Sequence, residues 1–426
     1  MKIEIISTGD EIVTGQILDT NAHWLCQFLF QQGLQVTRLN TVADNLDDLV
    51  TLFTEASQRA DLVFVNGGLG PTSDDLSAAA AAKAQNVALT LRQPWLDAMH
   101  AKYRQRQRKM PESNRKQALL PEGANIIDNP VGTACGIEFR FNQAQFYFTP
   151  GVPHEFKTML SQIIWPDIAA RLSLPPSKKQ YKLNTFGLAE SGIDRFINSI
   201  TIPDHIHLGY RTASPEIEVK LVGQPDQELA LLNQQIEQAL GQYVFSKDAM
   251  SPAEKIQQLL LARQQTLALA ESCTGGGIAA KLVAQAGSSA ILLAGAVTYS
   301  NQAKIDMVGV APEQIEQYGA VSEQVAVAMA HGVRAQAGSD YGLAVTGIAG
   351  PGGGSDEKPV GTVVFALNCA QGTYVQRLLI QHPQRNKIQA IAEMVSLDML
   401  RRLLDGWPVF AEYDFIHTLS HELIPG

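Results

Sequence analysis

A hydroxyl, a thiol and a second hydroxyl stand side by side at a glycine-rich turn in the C-terminal half of the chain. Ser272, Cys273 and Thr274 follow an apolar segment and precede three glycines in the sequence AESCTGGG. Glycine amides at such a turn can stabilise the negative charge that forms when a nucleophile attacks a carbonyl carbon. The turn therefore suits a nucleophile, although it is not the G-x-S-x-G motif and the closest histidine, His331, falls on an amphipathic helix where a structural role is the simpler interpretation.

A second motif supplies a candidate base. The sequence TYSNQAK contains Tyr299 and Lys304, and a lysine whose pKa is lowered by partial burial can deprotonate a serine hydroxyl. Taken alone, Lys304 would more often be a surface residue of a helix. Cys273 remains an alternative nucleophile to Ser272, because the dipole of a helix N-terminus stabilises a thiolate.

A third motif, VTGIAGPGGGSDEKPVGT, begins in a predicted strand and continues into a loop rich in glycine. The backbone amides of such a loop could enclose a phosphate, and a long surface connection is the alternative interpretation. Arg385 precedes the last predicted helix and could donate charge-assisted hydrogen bonds to a phosphate monoester. The candidate residues of this loop are Thr346, Gly347, Gly350 and Gly352.

The N-terminal part of the chain carries a different group of residues. Gly67, Gly68 and Gly70 lie between a predicted strand and a predicted helix, where backbone N–H groups can approach an anion. Asp74 and Asp75 enter the same turn, and two carboxylates would repel a phosphate unless a divalent cation lay between them. The pattern indicates either a metal-bridged phosphate or diphosphate, or two aspartates placed favourably in the first turn of a helix.

Two further segments have alternative interpretations. Glu155, in PGVPHEF, precedes a predicted helix and is a possible third metal ligand. The basic run KYRQRQRK, residues 102–109, is either a solvated helix face or a lid whose arginines contact phosphate oxygens.

Alternating strands and helices must position both the C-terminal and the N-terminal group of candidate residues. Segments such as KIEIIST, DLVFVNG, TLALA and YGLAVTG are short apolar runs, typical of strands whose sheet is covered by helices on both faces. We predict an α/β fold with two α/β domains of mainly parallel sheets, joined by a small α+β module. The predicted domains are residues 1–173, 174–248 and 249–426, with a linker in the segment LSLPPSKKQ.

Composition limits the classes of function. The 426 residues are 45% hydrophobic and 18% charged, with a net charge of -9, which excludes general disorder and disfavours broad binding to nucleic acid or anionic membranes. The N-terminus lacks the features of a secretory signal, and no apolar run is long enough to cross a bilayer, so we expect a cytoplasmic protein. The cysteines form no C-x-x-C pair, which argues against a zinc site or a disulfide framework.

The N-terminal motifs resemble a known family. GDEIVTGQILDTN, GGLGPTSDD, MPESNRKQALLPEGA, NPVGTACGI and PGVPHEF are similar, over about residues 1–170, to the molybdopterin-binding fold and more closely to the N-terminal domain of CinA proteins. The resemblance implies a metal-dependent pyrophosphatase that cleaves ADP-ribose to AMP and ribose 5-phosphate. Its glycines Gly67, Gly68 and Gly70 would bind the substrate, and Asp74, Asp75 and Glu155 would bind the metal ion.

The C-terminal motifs resemble the second domain of the same family. ESCTGG, YSNQAK, GAVSE and VTGIAGPGGGSDEKPVGTV are similar, between about residues 251 and 404, to the nicotinamide-nucleotide amidase domain of CinA proteins. The resemblance implies hydrolysis of nicotinamide mononucleotide to nicotinic acid mononucleotide and ammonia, without a cofactor. Ser272 would be the nucleophile, Lys304 the base and Tyr299 a proton relay or orienting donor.

The same resemblance assigns substrate contacts and an assembly. The turn containing Cys273, Thr274, Gly275 and Gly276, together with Thr346, would hold the oxyanion or the carboxamide, and the loop glycines and Arg385 would contact the 5′-phosphate. The segments AESGIDRFI and YRTASPEIEVKL resemble the small middle domain of CinA proteins, whose simplest role is to position the other domains or to form a homodimer. No direct contact with nucleic acid or membrane is expected.

Two alternatives to the bifunctional enzyme stay open at this point. In the first, only the C-terminal amidase is active, and the N-terminal domain binds molybdopterin or a nucleotide without turnover. In the second, which follows from the association of the family with competence and DNA damage, the N-terminal part is an interaction module.

Overall fold

The computed structural model of the protein describes residues 1–172, 178–248 and 250–426. These residues form two compact units, Met1–Lys178 and Lys179–Gly426. Most of the predicted linker and the predicted boundary at residue 173 lie outside the described residues, so the predicted division into domains stays a prediction. Among the residues described, no helix is both long and apolar enough to cross a membrane.

The first unit alternates strands and helices. Its elements are β1 (Ile3–Thr8), α1 (Asp10–Val13), α2 (Thr20–Gln31), β2 (Val36–Val42), α3 (Leu46–Arg59), β3 (Leu62–Asn66), α4 (Ser77–Gln85), β4 (Leu89–Leu91), α5 (Gln93–Gln105), a 3-10 helix (Glu112–Ala118), β5 (Leu119–Pro121), β6 (Asn125–Ile127), β7 (Gly136–Phe141), β8 (Ala144–Thr149), α6 (Pro153–Met159), a π-helical turn (Leu160–Ile164) and α7 (Trp165–Arg171).

The main sheet of this unit has six strands in the order β2-β1-β3-β8-β7-β6. The strands from β2 to β8 pair in parallel, and β7 and β6 are antiparallel to their neighbours. β1 and β3 are buried along their whole length because apolar clusters cover both faces: Ile6 and Val63 belong to one cluster, Ile3 and Phe64 to the other. From β1 the chain passes to β2, the neighbour on one side, and then to β3, the neighbour on the other side. Such a change of direction opens a crevice at the carboxyl ends of β1 and β3.

The second unit contains a small antiparallel module followed by a larger α/β body. Its elements are β9 (Lys179–Thr185), α8 (Glu190–Ile197), β10 (His207–Ala213), β11 (Glu216–Gly223), α9 (Asp226–Leu240), a 3-10 helix (Gly241–Tyr243), β12 (Val244–Lys247), α10 (Pro252–Arg263), β13 (Leu267–Glu271), α11 (Gly277–Val283), a 3-10 helix (Ser288–Ala290), β14 (Leu292–Val297), α12 (Asn301–Val308), α13 (Pro312–Tyr318), α14 (Glu323–Ala337), β15 (Tyr341–Gly347), β16 (Thr362–Cys369), β17 (Gly372–Leu379), α15 (Arg385–Asp405) and β18 (His417–Pro425).

The larger sheet runs in the order β14-β13-β15-β16-β17-β18. β14, β13 and β15 are parallel, and the pairs from β15 to β18 are antiparallel. Leu267 and Leu269 of β13 pack on the same face as α15, and Ala268 and Ala270 pack on the face covered by α14. The predicted α/β class is confirmed, with parallel pairing at the strands that carry the predicted site.

The antiparallel part of this sheet has a simple cause. β16 and β17 are separated only by Ala370 and Gln371, and so short a connection permits antiparallel pairing alone, since a parallel pair needs a crossover of a dozen or more residues. The small module is antiparallel throughout, in the order β10-β11-β9-β12, and α8 and α9 cover it through residues such as Ile193 and Ile236.

A buried ionic cluster joins the small module to α15. Asp398 accepts hydrogen bonds from Arg401 at 2.7 Å and from Arg402 at 2.7 Å, and the Tyr413 hydroxyl donates to it at 3.1 Å. Both guanidinium groups also donate to Gln242, which lies between α9 and β12. Arg401 and Arg402 are 1% and 0% exposed, so their charges are compensated within the protein rather than by water.

Candidate active site

The C-terminal candidate residues meet where three neighbouring parallel strands end. Ser272 directly follows β13, Thr298 follows β14, and Thr346 lies near the end of β15. β13 lies between β14 and β15, so the chain passes from β13 to a strand on one side and then to a strand on the other side. In open α/β sheets this arrangement creates a binding crevice.

Ser272 and Lys304 form a hydrogen-bonded pair. Lys304 Nζ lies 3.0 Å from Ser272 Oγ and 2.8 Å from the carbonyl oxygen of Thr298. Ser272 is 6% exposed and Lys304 1% exposed. Lys304 lies in the first turn of α12, which begins after Ser300, whose hydroxyl accepts a hydrogen bond from Ala303 N at 3.0 Å. The sequence TYSNQAK thus fixes a helix start that brings the amine to the serine.

Burial shifts the pKa values of Lys304 and of the neighbouring Cys273. Desolvation lowers the pKa of Lys304, because a buried amine loses the hydration that stabilises its charged form. Burial also raises the pKa of the Cys273 thiol to about 12, although Lys304 and Arg385 oppose that shift. Ser272 therefore has an amine of lowered pKa beside it, whereas burial disfavours the thiolate form of Cys273, which speaks against the alternative nucleophile.

The turn after Ser272 leaves selected groups unpaired. Ser272 N donates to Val345 O at 2.9 Å and Gly275 N donates to Ser272 O at 3.0 Å, while Gly275 and Gly276 have positive φ values of 64° and 94°. In the described part of the chain, no hydrogen bond to another residue uses the N–H of Cys273, Thr274 or Gly276, and the buried Thr274 Oγ1 has no partner. These are the groups of the predicted oxyanion turn that can receive a ligand.

Two residues that sequence reasoning missed support this turn. Glu271 is buried and accepts hydrogen bonds from Ile278 N at 3.1 Å and Ala279 N at 2.8 Å, which holds the start of α11 beside the end of β13. Gln389 Nε2 on α15 donates to Cys273 O at 2.7 Å. The first residue of the motif ESCTGG is Glu271 itself, which was a visible signal for the first, and no motif pointed to the second.

Arg385 brings two other predicted residues together. Its Nη1 donates to Gly350 O at 2.7 Å and its Nη2 donates to the Tyr299 hydroxyl at 3.2 Å. Tyr299 is 62% exposed, so its ring and hydroxyl face solvent beside the guanidinium. This position suits a substrate contact, and the proton-relay role of Tyr299 stays a prediction.

The remaining predicted residues of the glycine-rich loop differ in their hydrogen bonds and in the space around them. The Thr346 hydroxyl donates to Ala320 O at 2.9 Å, which occupies this side chain. Gly347 ends β15, and a side chain at Gly352 would meet open space, whereas one at Gly350 would meet Val360. A side chain at Gly347 would also press against Thr362 and Val363, so packing leaves no room for a side chain at Gly347 or Gly350.

The N-terminal candidate residues line one cavity of about 430 Å³. It lies at the carboxyl ends of β1 and β3, and Gly67 and Gly68 enter it with positive φ values of 108° and 67°. The other predicted residues on its wall are Gly70, Asp74, Asp75 and Glu155. All six predicted N-terminal residues are thus brought to one cavity.

The three predicted metal ligands do not converge within that cavity. Asp75 accepts a hydrogen bond from Thr72 N at 2.8 Å, and Glu155 accepts one from Asn129 Nδ2 at 2.7 Å. Asp74 is exposed, and a hydrogen bond from Thr72 lowers its pKa. No group of three or more His, Cys, Asp or Glu side chains among the described residues could hold a metal ion. Side chains within residues 1–172, 178–248 and 250–426 therefore form no complete metal site by themselves.

Other polar groups of the cavity were not predicted. Thr8 Oγ1 and Asn21 Oδ1 are buried and have no hydrogen-bond partner among the described residues, and both residues line the cavity. Asp44 also lines it, and burial, together with the nearby Asp10, Glu11 and Asp74 charges, raises its pKa. The wall is polar and acidic on one side.

The basic run of residues 102–109 fits neither alternative interpretation fully. Lys102 Nζ donates to Asn129 O at 2.5 Å and to Gly132 O at 3.2 Å, and Arg106 donates to Val131 O at 3.2 Å. These two cations therefore hold the loop before β7, which continues into the cavity wall at Thr133.

Comparison with known proteins agrees with the two motif groups. The CinA C-terminal domain family matches residues 249–404, and the family described as a probable molybdopterin binding domain matches residues 4–170. A crystal structure of the competence/damage inducible protein CihA from Agrobacterium tumefaciens is 39% identical, covers 37% of this chain and 97% of its own, and has a TM-score of 0.35.

Full-length relatives extend the similarity over the whole chain. A CinA-like protein of Shewanella woodyi is 46% identical over 99% of this chain and 100% of its own, and one of Shewanella piezotolerans is 44% identical over 98% and 99%. The chain belongs to the CinA family, with a molybdopterin-binding-like N-terminal domain and a CinA C-terminal domain.

Proposed function

We propose that the C-terminal part of the chain is an amidase that hydrolyses nicotinamide mononucleotide to nicotinic acid mononucleotide and ammonia. The observation that carries the proposal is the 3.0 Å contact between Lys304 Nζ and Ser272 Oγ in a buried site. A serine is a weak nucleophile unless a base removes its proton, and an amine of lowered pKa beside it supplies that base.

The reaction begins with proton transfer from Ser272 Oγ to the neutral Lys304 amine. The serine oxygen forms a bond to the carboxamide carbon, and the N–H groups of Thr274 and Gly276 can stabilise the oxyanion. Lys304 then gives its proton to the departing nitrogen, the C–N bond breaks, and ammonia leaves an ester on Ser272. Water hydrolyses the ester, with Lys304 again accepting a proton and returning it to Ser272 Oγ.

In this proposal, the partly exposed Arg385 near Ser272 and Lys304 binds the substrate. Arg385 lies between Tyr299 and the carbonyl of Gly350, and a guanidinium can make two parallel hydrogen bonds to a phosphate. We propose that it contacts the 5′-phosphate, which would distinguish a nucleotide from free nicotinamide.

Ammonia release from nicotinamide mononucleotide by the purified full-length protein tests the proposal. Ser272→Ala and Lys304→Met should each remove the activity, because the first loses the nucleophile and the second its base. Cys273→Ala serves as the matched control and should remain active. Near-normal turnover by Ser272→Ala would overturn the assignment.

We also propose that the N-terminal domain cleaves ADP-ribose to AMP and ribose 5-phosphate. The observation that favours it is the cavity of about 430 Å³ at the ends of β1 and β3, where Gly67 and Gly68 allow backbone N–H groups to approach a diphosphate. Because the described side chains do not complete a metal site, a divalent cation would need phosphate oxygens of the substrate for part of its coordination.

AMP formation from ADP-ribose, measured across several divalent metal ions and with a chelator, tests this second proposal. Metal-dependent cleavage that a chelator abolishes would support it. Saturable binding of ADP-ribose without AMP formation under any metal would instead favour a nucleotide-binding domain without turnover.

A further inference from the structure

The peptide between Cys273 and Thr274 is held from outside the catalytic turn. Gln389, in the second turn of α15, donates a 2.7 Å hydrogen bond from Nε2 to the carbonyl oxygen of Cys273, and the two residues are 116 positions apart. This peptide is the second one after the proposed nucleophile Ser272. A residue on a distant helix thus fixes the second peptide of the turn.

The geometry of a trans peptide turns this contact into a constraint on the next N–H. The C=O and N–H of one trans peptide point in opposite directions, so a hydrogen bond that fixes the Cys273 carbonyl towards α15 directs the Thr274 N–H away from it. That N–H and the buried Thr274 Oγ1 have no partner within the described residues. Unpaired buried polar groups are uncommon and require an explanation such as an absent ligand.

We propose that Gln389 is a positioning residue, which orients the Cys273–Thr274 peptide so that the Thr274 N–H receives the oxyanion of the amide substrate. The inference rests on the proposed amidase function and adds a residue to it. The hydrogen bond also polarises the peptide, because hydrogen bonds in a chain strengthen one another and acceptance at the carbonyl makes the N–H a better donor.

Packing of α15 holds Gln389 in a fixed position. Ile388 and Ala392, on either side of it in sequence, are buried in the apolar core, and the far end of the helix is held by the cluster of Asp398, Arg401 and Arg402. The donor is therefore placed before substrate arrives, and electrostatic stabilisation of a transition state depends on such preorganisation.

Gln389→Met tests the proposal, because methionine has a similar length and no N–H. We expect kcat for nicotinamide mononucleotide to fall about 10- to 100-fold, a smaller loss than deleting an oxyanion donor outright. KM and the inhibition constant of nicotinic acid mononucleotide should change less than about twofold, since the oxyanion exists only after attack. Gln384→Met, at the exposed start of α15 where no side-chain cap is made, is the matched control and should leave kcat unaltered.

Gln389→Glu provides a readout that a merely structural role would not move. A protonated carboxyl can donate to the Cys273 carbonyl and a carboxylate cannot, so the ratio of the variant's kcat to the wild-type kcat should rise as pH falls through the pKa of the new carboxyl group.

Three results would overturn the proposal: a kcat in Gln389→Met equal to that of the wild type, a rise in KM with unchanged kcat, or a kcat ratio in Gln389→Glu that does not vary with pH. Failure of the proposed function looks different, because the wild-type protein itself would then release no ammonia and Gln389 would have no oxyanion to serve.

Discussion

Lys304 Nζ contacts Ser272 Oγ at 3.0 Å on one side and the Thr298 carbonyl at 2.8 Å on the other. The amine is thus fixed at the hydroxyl that it deprotonates in the proposed mechanism. Since burial disfavours its charged form, its pKa lies below the ordinary lysine value.

The first prediction concerns pH. Only the neutral amine can accept the serine proton, so kcat/KM for nicotinamide mononucleotide should rise with pH through the lowered pKa of Lys304 and reach a plateau before the ordinary value of about 10.4. A pH–rate profile measures this. Lys304→Arg should be inactive at every pH, because a guanidinium stays protonated; a profile that falls across the same range would contradict the assignment.

The second prediction concerns the neighbouring thiol. Because burial raises the pKa of Cys273 to about 12, we expect iodoacetamide to modify it slowly at neutral pH in the folded protein and rapidly after denaturation. Cys273→Ala should keep ammonia release within about threefold of the wild type, since the nucleophile lies elsewhere. Fast inactivation by the reagent, prevented by substrate, would be the contrary result.

The third prediction concerns Arg385. Its replacement by alanine should lower kcat/KM for nicotinamide mononucleotide about 10- to 150-fold, the range for losing a hydrogen bond to a charged group. Nicotinamide riboside lacks the phosphate, so its much slower hydrolysis should change little. Steady-state assays with both substrates give the comparison, and an equal loss for both would remove the phosphate role.

The fourth prediction concerns the N-terminal cavity. Gly68 has a φ of 67°, and a side chain there would press against Ser77, so Gly68→Ala should destabilise this domain by about 1–3 kcal/mol and abolish AMP formation. Gly123→Ala is the control, because Gly123 also has a positive φ of 81° but open space around it. Thermal unfolding and AMP assays distinguish them, with amidase activity expected to persist in both.

The fifth prediction concerns the buried ionic cluster. Asp398→Asn leaves Arg401 and Arg402 without their shared counter-charge, and such a loss costs about 3–5 kcal/mol. Asp405→Asn is the milder control, because Asp405 is partly exposed and lies 3.7 Å from Lys255 and 3.6 Å from Arg401. Urea unfolding of the full chain reports both, and an Asp398→Asn midpoint equal to that of the wild type would show that the cluster does not stabilise the fold.

The proximity of Ser272 and Lys304 could be predicted from the sequence because each residue lies in a short motif at the end of a strand. ESCTGG and YSNQAK each follow a strand, and parallel strands place their carboxyl ends at one edge of the sheet. The order of strands and motifs is therefore enough to predict that Ser272 and Lys304 meet, and the 3.0 Å contact between them confirms it. The α/β class follows from the same alternation.

Features that depend on packing between distant segments could not be found in this way. Gln389 reaches Cys273 only because α15 packs across the sheet, and Lys102 contacts carbonyls 27 and 30 positions away. Asp74, Asp75 and Glu155 share a cavity as predicted, yet their side chains take local hydrogen-bond partners instead of converging. Sequence spacing places residues at an edge, and side-chain orientation then depends on neighbours.

The length of α15 has an evolutionary consequence. At about 1.5 Å per residue, its 21 residues span about 30 Å, from Arg385 to the guanidinium groups that bond to Gln242 of the small module. A descendant that lost residues 179–247 would uncover two arginines that now donate hydrogen bonds to that module. Retention of this arginine pair should therefore accompany inheritance of the small module, and its replacement by apolar residues should mark lineages in which the amidase domain has become independent.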